Sequence, residues 1–408
     1  MEALEKTLSA QSELFGQSFE DKRITYENVQ KSLGKNEVAV EMVRYRHFNH
    51  TFTDSVRYVA LYVKGDNSRP KAVSLPESYR METRFYHYYR NCMIGKVEDQ
   101  YSYKVFWEPI QKEIGQYSTI YFSPDGVYNQ INLESIPTPD GKFVIDNSNI
   151  VLVSNTKDLY IRKLKGKQAA SNNKATMFGN PQFYLSASIE KNISALPGTE
   201  KEVAELQELL KQKGWTTNEY TEKQASEEQV KELDNPKIFH IATHGFYKDE
   251  AATNSVSEMT ETEAELSQNP LMKTGLLLTG AGDVLSKTSY NYNIESGILT
   301  AYEAMSLNLD KTDLVVLSAC ETGLGEIANG EGVYGLQRAF LVAGAKTLVM
   351  SMFKVDDDAT QKLILNFYRK WLTTANLRQS FVDAKKELRA EYPEPIYWGA
   401  FMMIGLDN

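Results

Sequence analysis

The sequence predicts an α/β protein built on a mainly parallel β-sheet. In the second half of the chain, short apolar segments alternate with longer segments whose apolar residues recur at helical spacing, as in a strand–helix–strand architecture. The short segments are apolar at almost every position, which is typical of parallel strands covered by helices on both faces. The first half mixes alternating and continuous apolar segments, so we expect a mixed α/β unit there.

Composition limits the class of protein. The chain has 408 residues, of which 42% are hydrophobic and 24% charged, as in ordinary globular proteins of two or three domains. The net charge of −9 argues against a broad basic surface, so we expect no direct nucleic-acid partner. The most apolar stretch, 339–353, is interrupted by Lys346, and we expect no membrane partner.

Cysteine content indicates the compartment. The chain has two cysteines, Cys92 and Cys320, which cannot form a disulfide framework. The N-terminal residues carry scattered charges and lack the apolar core of a secretory signal. We therefore expect a reducing, cytoplasmic location.

The first half divides into a short helical segment and a mixed domain. Residues 1–36 are polar and predict an N-terminal helical segment, and 37–164 predict an α/β domain. A helical stretch is expected over 76–116. Strands are expected at 38–42, 58–64, 118–123 and 151–155.

The second domain is expected over 175–408, after a polar segment of small residues at 165–174. Thr199 and Glu202 fit a capping box that begins a helix. The acidic, Ser/Thr-rich segment 249–269 predicts a mobile loop. Strands are expected at 176–179, 238–242, 314–319, 347–353 and 398–404, with further helices near 333–340, 363–371 and 377–388.

Two strand ends carry residue types suited to nucleophilic catalysis. The strand 238–242 continues into His244 and Gly245, and the strand 314–319 continues into Cys320. Sites in open α/β sheets form beyond the C-terminal strand ends, so parallel neighbouring strands would place these residues at one edge. Cysteine is a good nucleophile, and histidine can activate it or protonate a leaving amine. The N–H groups of Gly245 and Cys320 are suited to stabilise an oxyanion.

The motifs around these strand ends resemble the CHAT family of caspase-like cysteine peptidases, a family related to separase and caspases. The resemblance is strong over 176–408 and weaker over 37–164. The motifs are His240-Ile-Ala-Thr-His-Gly, Thr274-Gly-Leu-Leu-Leu-Thr-Gly, Gly297-Ile-Leu-Thr-Ala, Leu314-Val-Val-Leu-Ser-Ala-Cys-Glu-Thr-Gly-Leu-Gly, Gly330-Glu-Gly-Val-Tyr-Gly-Leu-Gln-Arg-Ala-Phe, Val355-Asp-Asp-Asp-Ala-Thr and Tyr397-Trp-Gly-Ala-Phe.

The resemblance implies a caspase-hemoglobinase-like α/β sandwich in which His244 and Cys320 form a catalytic dyad without a cofactor. It implies that 37–164 is a non-catalytic, protease-like unit. Members of this family often carry tetratricopeptide repeats and act in bacterial defence or programmed death. A protein substrate, and an activating protein or helical-repeat region, are therefore the expected partners. The alternative is a catalytically silent module that keeps the fold for binding proteins.

Two other chemistries are weaker interpretations of the same motifs. His240 and His244 are four residues apart, but a zincin needs a His-Glu-x-x-His helix and a zinc site needs a third ligand. We therefore predict no metal and interpret His240 as a packed strand residue. The loop 323–332 is rich in glycine but lacks the Gly-Lys-Ser/Thr ending of a phosphate-binding loop. It is expected to shape the substrate cleft.

Acidic residues near the predicted edge are candidates for substrate binding. Asp356 follows the strand 347–353, and carboxylates there either complement a helix dipole or bind a basic side chain before the scissile bond, as the resemblance to separases implies. Glu321 follows the nucleophile and is a second substrate-binding candidate or a solvated carboxylate. Cys92 lacks a neighbouring His-Gly motif and is interpreted as structural.

Overall fold

The fold is described from a computed structural model. The described residues are 23–66, 68–165, 173–186, 191–247, 269–286, 296–318, 326–328, 332–354 and 356–407. The predicted helical segment 1–36 is therefore described only from residue 23, where a short helix, α1, spans Tyr26–Gln30. Most of the predicted loop 249–269 lies outside the described residues.

Sixteen strands occur in the described chain. Their bounds are β1 Glu37–Asn49, β2 Thr51–Lys64, β3 Lys71–Ser74, β4 Thr119–Ser123, β5 Ile150–Leu152, β6 Lys174–Pro181, β7 Thr216–Glu222, β8 Ile238–Ala242, β9 Gly245–Tyr247, β10 Thr274–Leu277, β11 Ile298–Thr300, β12 Leu314–Leu317, β13 Glu326–Ala328, β14 Gly332–Tyr334, β15 Thr347–Ser351 and β16 Phe401–Gly405.

The helices lie between these strands. The α-helices after α1 are α2 Ser78–Arg80, α3 Tyr86–Gly95, α4 Glu108–Ile114, α5 Val144–Asn147, α6 Asp158–Lys165, α7 Pro197–Gln212, α8 Glu227–Lys231, α9 Ala281–Leu285, α10 Ala301–Ala304, α11 Leu336–Val342, α12 Asp357–Thr374, α13 Leu377–Glu391 and α14 Pro395–Trp398. Wider π turns occupy Met81–Phe85 and Tyr103–Trp107, and 3₁₀ turns occupy Gly126–Gln130, Leu133–Ser135 and Pro270–Met272.

Eleven of the strands form one sheet in the order β3-β2-β1-β4-β5-β16-β15-β12-β8-β6-β7. The pairs β3–β2, β2–β1 and β16–β15 are antiparallel, and the other neighbouring pairs are parallel. This confirms the predicted α/β class with a mainly parallel sheet. Every residue of β8, β12 and β15 is buried, as continuous apolar strands require.

The sheet continues from one half of the chain into the other. The last strand, β16, lies between β5 and β15, so the chain terminus pairs with the first half. Lys385, which is fully buried, contacts Glu134 at 2.7 Å, and Arg389 makes two hydrogen bonds to Asp146 at 2.8 and 2.9 Å. The division into domains at 37–164 and 175–408 stays a prediction.

The start of α7 differs from the sequence prediction. The helix begins at Pro197 with Leu196 as its N-cap residue, three residues before the expected N-cap, Thr199. Proline suits the first helical position because its φ is already helical and its missing N–H leaves nothing unpaired. The Thr199 hydroxyl instead donates to the Leu196 carbonyl oxygen at 2.7 Å and accepts from the Asn180 amide at 2.8 Å. Glu202 therefore points elsewhere, as described below.

No helix among the described residues has the length and apolar character needed to cross a lipid bilayer.

Candidate active site

The strands that lead to His244 and Cys320 are neighbours. β8 and β12 pair in parallel, with His240 opposite Val316 and Ile241 opposite Leu317. The Ser318 amide donates to the Ile241 carbonyl oxygen at 2.9 Å, which extends this pairing beyond β12. His244 follows β8 by two residues, so it lies at the edge of the sheet toward which β12 also runs. Cys320 and Glu321 lie outside the described residues.

The His244 side chain is half-buried and oriented by a backbone carbonyl. Its Nε2 lies 2.9 Å from the Ser194 carbonyl oxygen. A carbonyl can only accept, so Nε2 carries the proton in this contact and Nδ1 keeps its lone pair in the neutral ring. The Phe183 ring lies beside the imidazole, with centroids 5.3 Å apart. The hydrogen bond to Ser194 selects the tautomer in which Nδ1 can accept a proton.

The segment that presents the Ser194 carbonyl is itself held at two points. The Tyr184 hydroxyl oxygen accepts hydrogen bonds from the amides of Asn192 at 2.7 Å and Ile193 at 2.9 Å. The Asn180 side-chain oxygen accepts from the Leu196 amide at 3.2 Å. No motif in the sequence pointed to these residues, because their role is to hold a segment whose backbone carbonyl, rather than a side chain, contacts His244.

The backbone after His244 is anchored to a second, three-stranded sheet. Gly245 begins β9 and pairs with Leu276 of β10. The His244 carbonyl oxygen accepts from the Leu277 amide at 2.9 Å, and the Thr243 hydroxyl donates to the Leu277 carbonyl oxygen at 2.5 Å. The peptide that carries the Gly245 N–H is thus fixed in place. The use of that N–H for an oxyanion stays a prediction.

A buried polar network lies beneath the two strand ends. His240 Nε2 is 2.9 Å from Glu202 Oε1, and the Tyr368 hydroxyl is 3.4 Å from His240 Nδ1. The Ser318 hydroxyl donates to Glu202 Oε2 at 3.3 Å. Both ring nitrogens of His240 are therefore engaged inside the protein. In the described ranges, no three side chains of metal-ligand type come together.

Asp356 caps a helix at the edge expected from the sequence. It is the N-cap residue of α12, and its Oδ1 accepts from the Ala359 amide at 3.0 Å. It is exposed and follows β15, which runs parallel to β12. The helix-terminus interpretation is observed directly, and the substrate-binding role stays a prediction.

A profile of the CHAT domain family matches residues 102–406, about three quarters of the chain. The chain belongs to the CHAT domain family. This confirms the resemblance expected from the motifs. The matched range includes β4 and β5 of the first half as well as all strands that lead to the candidate site.

Curated relatives of this CHAT domain are tetratricopeptide repeat protein 28 of Mus musculus and of Homo sapiens. Each is 24% identical, over 254 and 253 residues respectively, and each alignment covers 61% of this chain and 10% of the relative. The chain thus spans about a tenth of the length of these relatives.

Two solved structures that resemble this chain are a separase–securin complex and gingipain R. A separase–securin complex of Saccharomyces cerevisiae has a TM-score of 0.49 and 9% identity, and covers 93% of this chain and 30% of the separase chain. The Arg-specific cysteine proteinase gingipain R has a TM-score of 0.45 and 10% identity, and covers 80% of this chain and 74% of that proteinase.

Two other residues or segments singled out from the sequence have an observed place in the chain. Cys92 is buried on α3, and burial raises the pKa of its thiol, which disfavours a reactive thiolate. Part of the loop 323–332 forms a hairpin, because β13 and β14 pair antiparallel.

Proposed function

We propose that this CHAT domain is a cysteine endopeptidase that uses His244 and Cys320 as a catalytic dyad. The observation that supports this most directly is the pairing of β8 with β12, because neighbouring parallel strands end at the same edge of the sheet. The Nε2–H of His244 is held by a carbonyl oxygen, which leaves Nδ1 to exchange a proton with a thiol or an amine.

The proposed reaction follows from these groups. His244 Nδ1 takes the proton of the Cys320 thiol, and the sulfur attacks the peptide carbonyl carbon. The N–H groups of Gly245 and Cys320 stabilise the resulting oxyanion, each contributing about 3 kcal/mol to transition-state binding. The imidazolium then returns its proton to the leaving amine, and water hydrolyses the thioester. No cofactor takes part in this scheme.

The biological setting is part of the same proposal. We infer a protein substrate, a cytoplasmic location and a regulated role in bacterial defence or cell death. An activating protein or a helical-repeat region is the proposed regulator, supported by the repeat proteins among the relatives. Asp356 and Glu321 are proposed to contact the substrate.

The test compares peptidase activity and active-site thiol labelling in wild type, Cys320→Ala and His244→Ala. Both substitutions should reduce kcat/KM by at least about a thousandfold and leave the circular dichroism spectrum unchanged, because both residues lie beyond strand ends. Cys92→Ala is the matched control, since it removes the other thiol of the chain, which is buried on α3, and should retain activity. Full activity in either dyad variant would refute the assignment.

The alternative is a catalytically silent module that binds proteins through the same fold. Such a module would show no labelling of Cys320 that depends on His244. Proteomic identification of cleavage sites with wild type and Cys320→Ala separates the two functions, because a silent module yields identical peptide sets.

A further inference from the structure

The network of Glu202, His240, Ser318 and Tyr368 is a polar cluster in an otherwise apolar region. The exposed fractions of these residues are 3%, 0%, 8% and 0%, respectively. Their neighbours along β8 and β12 are apolar and fully buried. Glutamate is almost never fully buried unless it is paired, so the burial of the Glu202 carboxyl needs a structural or functional reason.

Apolar side chains of similar volume would stabilise this core at least as well. Burying a carboxyl and an imidazole costs desolvation free energy that their mutual contact recovers only in part. The cluster therefore contributes a defined geometry, since a hydrogen-bonded polar network admits fewer arrangements of its side chains than apolar packing does.

The Glu202 carboxyl contacts both strands of the candidate site. One oxygen, Oε1, lies 2.9 Å from His240 Nε2 on β8, four residues before His244. The other, Oε2, accepts from the Ser318 hydroxyl at 3.3 Å, two residues before Cys320. Helix α7 thus connects the strand that carries the base with the strand that carries the nucleophile.

The connection lies where the sheet pairing ends. The Ser318 amide makes a backbone hydrogen bond to Ile241, and beyond this point His244 is bound to Ser194 and β10 instead. Within the described chain, the contact from Ser318 to Glu202 is the last side-chain contact before Cys320. The Tyr368 hydroxyl of α12 lies 3.4 Å from the other ring nitrogen of His240, Nδ1.

We propose that Glu202 and Ser318 are positioning residues that set the distance between the His244 and Cys320 side chains. This rests on the proposed peptidase function. Neither residue touches the substrate. Both act by holding the end of β12 against β8, and a displacement of about 1 Å at a reacting group can reduce a rate by about a hundredfold.

The experiment uses the full chain and the variants Ser318→Ala, Ser318→Thr and Glu202→Gln. The Cys320 thiol is titrated by the pH dependence of its alkylation with iodoacetamide, followed by mass spectrometry of the peptide that contains it. Cys92 in the same sample is the internal control. Thr347→Val is the matched control variant, because Thr347 is buried on β15 and its hydroxyl has no partner within the described chain.

We expect Ser318→Ala to slow Cys320 alkylation at pH 7 and to lower kcat, each by about tenfold, with KM changed by less than twofold. Glu202→Gln should lower kcat in the same way. Ser318→Thr keeps the hydroxyl and should restore most of the rate. Thr347→Val and the Cys92 signal should match wild type. A merely structural role would lower the melting temperature but leave the Cys320 titration unchanged.

The proposal is overturned if Ser318→Ala and Glu202→Gln keep the wild-type kcat and Cys320 titration. Failure of the peptidase function gives a different result, namely a rate of Cys320 alkylation that His244→Ala leaves unchanged. Hydrogen exchange over 314–325 then decides the positioning role. Faster exchange in Ser318→Ala than in Thr347→Val supports it, and equal exchange overturns it.

Discussion

Two histidines four residues apart show how the environment assigns a role to a side chain. His240 is fully buried, and both of its ring nitrogens are engaged by Glu202 and Tyr368. His244 is half-buried, and its Nε2 donates a hydrogen bond to the Ser194 carbonyl oxygen. A group that must accept and return a proton needs one nitrogen within reach of the substrate, which only the second arrangement provides.

Asp356 combines a structural contact with an exposed negative charge. Asparagine caps a helix as well as aspartate does, so Asp356→Asn removes the charge and keeps the hydrogen bond to Ala359. We expect kcat/KM to fall by about 10- to 100-fold for peptides with Arg or Lys before the cleaved bond. Peptides with an apolar residue there should be unaffected. The measurement is a peptide-library assay that compares wild type with Asp356→Asn.

Asp357→Asn is the matched control for this prediction, because it changes the net charge equally on the adjacent exposed residue. An equal loss in both variants would indicate a long-range charge effect. A wild-type preference for apolar or acidic residues before the cut would contradict the specificity role of Asp356.

At the scale of elements, the base depends on an irregular segment packed against α9. The Tyr184 ring lies against Gly282, where an added Cβ would come within 2.5 Å of the ring. Glycine is therefore required for this approach. The ring position lets the Tyr184 hydroxyl bind the amides of Asn192 and Ile193, and these amides precede the carbonyl that orients His244.

Tyr184→Phe tests this chain of contacts by removing one oxygen atom. Without the hydroxyl, the segment 192–194 loses two hydrogen bonds, and the His244 Nε2–H loses a fixed acceptor. We expect kcat to fall by about tenfold with little change in KM. Nitrogen NMR of His244 should change from the Nε2–H tautomer to a mixture.

The control for this prediction is Tyr121→Phe, which removes a hydroxyl that contacts Glu37 at 3.3 Å in the first half of the chain. It should leave the tautomer and kcat unchanged. If Tyr184→Phe keeps the wild-type tautomer and the wild-type kcat, the prediction is wrong, because the Ser194 carbonyl then stays in place without the Tyr184 hydroxyl.

At the scale of the whole molecule, charged contacts join the end of the chain to its first half. Burial by itself would raise the pKa of Asp146, but the hydrogen bonds from Arg389 and the Phe143 amide, together with the charge of Arg389, outweigh it, and the pKa lies below its usual value. A lowered pKa in the folded state means that the ionised carboxylate stabilises the fold. This stabilisation is complete above the unfolded pKa and is lost as the pH falls through the folded pKa.

Asp146→Asn should therefore lower the free energy of unfolding by about 1 to 3 kcal/mol at pH 7. The difference from wild type should shrink as the pH falls below the unfolded value of 3.8, because the wild-type carboxyl then becomes protonated. Urea denaturation of wild type and Asp146→Asn, at pH 7 and at a pH below 3.8, measures this difference in the free energy of unfolding. Glu98→Gln is the control, since it removes a carboxylate that is exposed in the first half of the chain. A difference in the free energy of unfolding that stays the same at both pH values would contradict a lowered pKa of Asp146 in the folded state.

Local pattern was sufficient to predict most of the elements. Continuous apolar segments predicted β8, β12 and β15, and helical spacing predicted α12 and α13. Both signals follow from burial, which a sequence records directly. The neighbouring positions of β8 and β12 could also be predicted, because two strand ends with complementary chemistry are useful only at one edge.

Contacts between distant segments could not be predicted in this way. The sequence by itself determined the fold class, the family and the two candidate residues of the dyad. The tertiary structure alone decided that Glu202, expected to cap α7, is buried against His240 and Ser318. It alone decided that a backbone carbonyl orients His244. The physical reason is that a hydrogen bond depends on where the fold places its two atoms, and the residue pattern does not specify which side-chain or carbonyl atoms of distant segments meet.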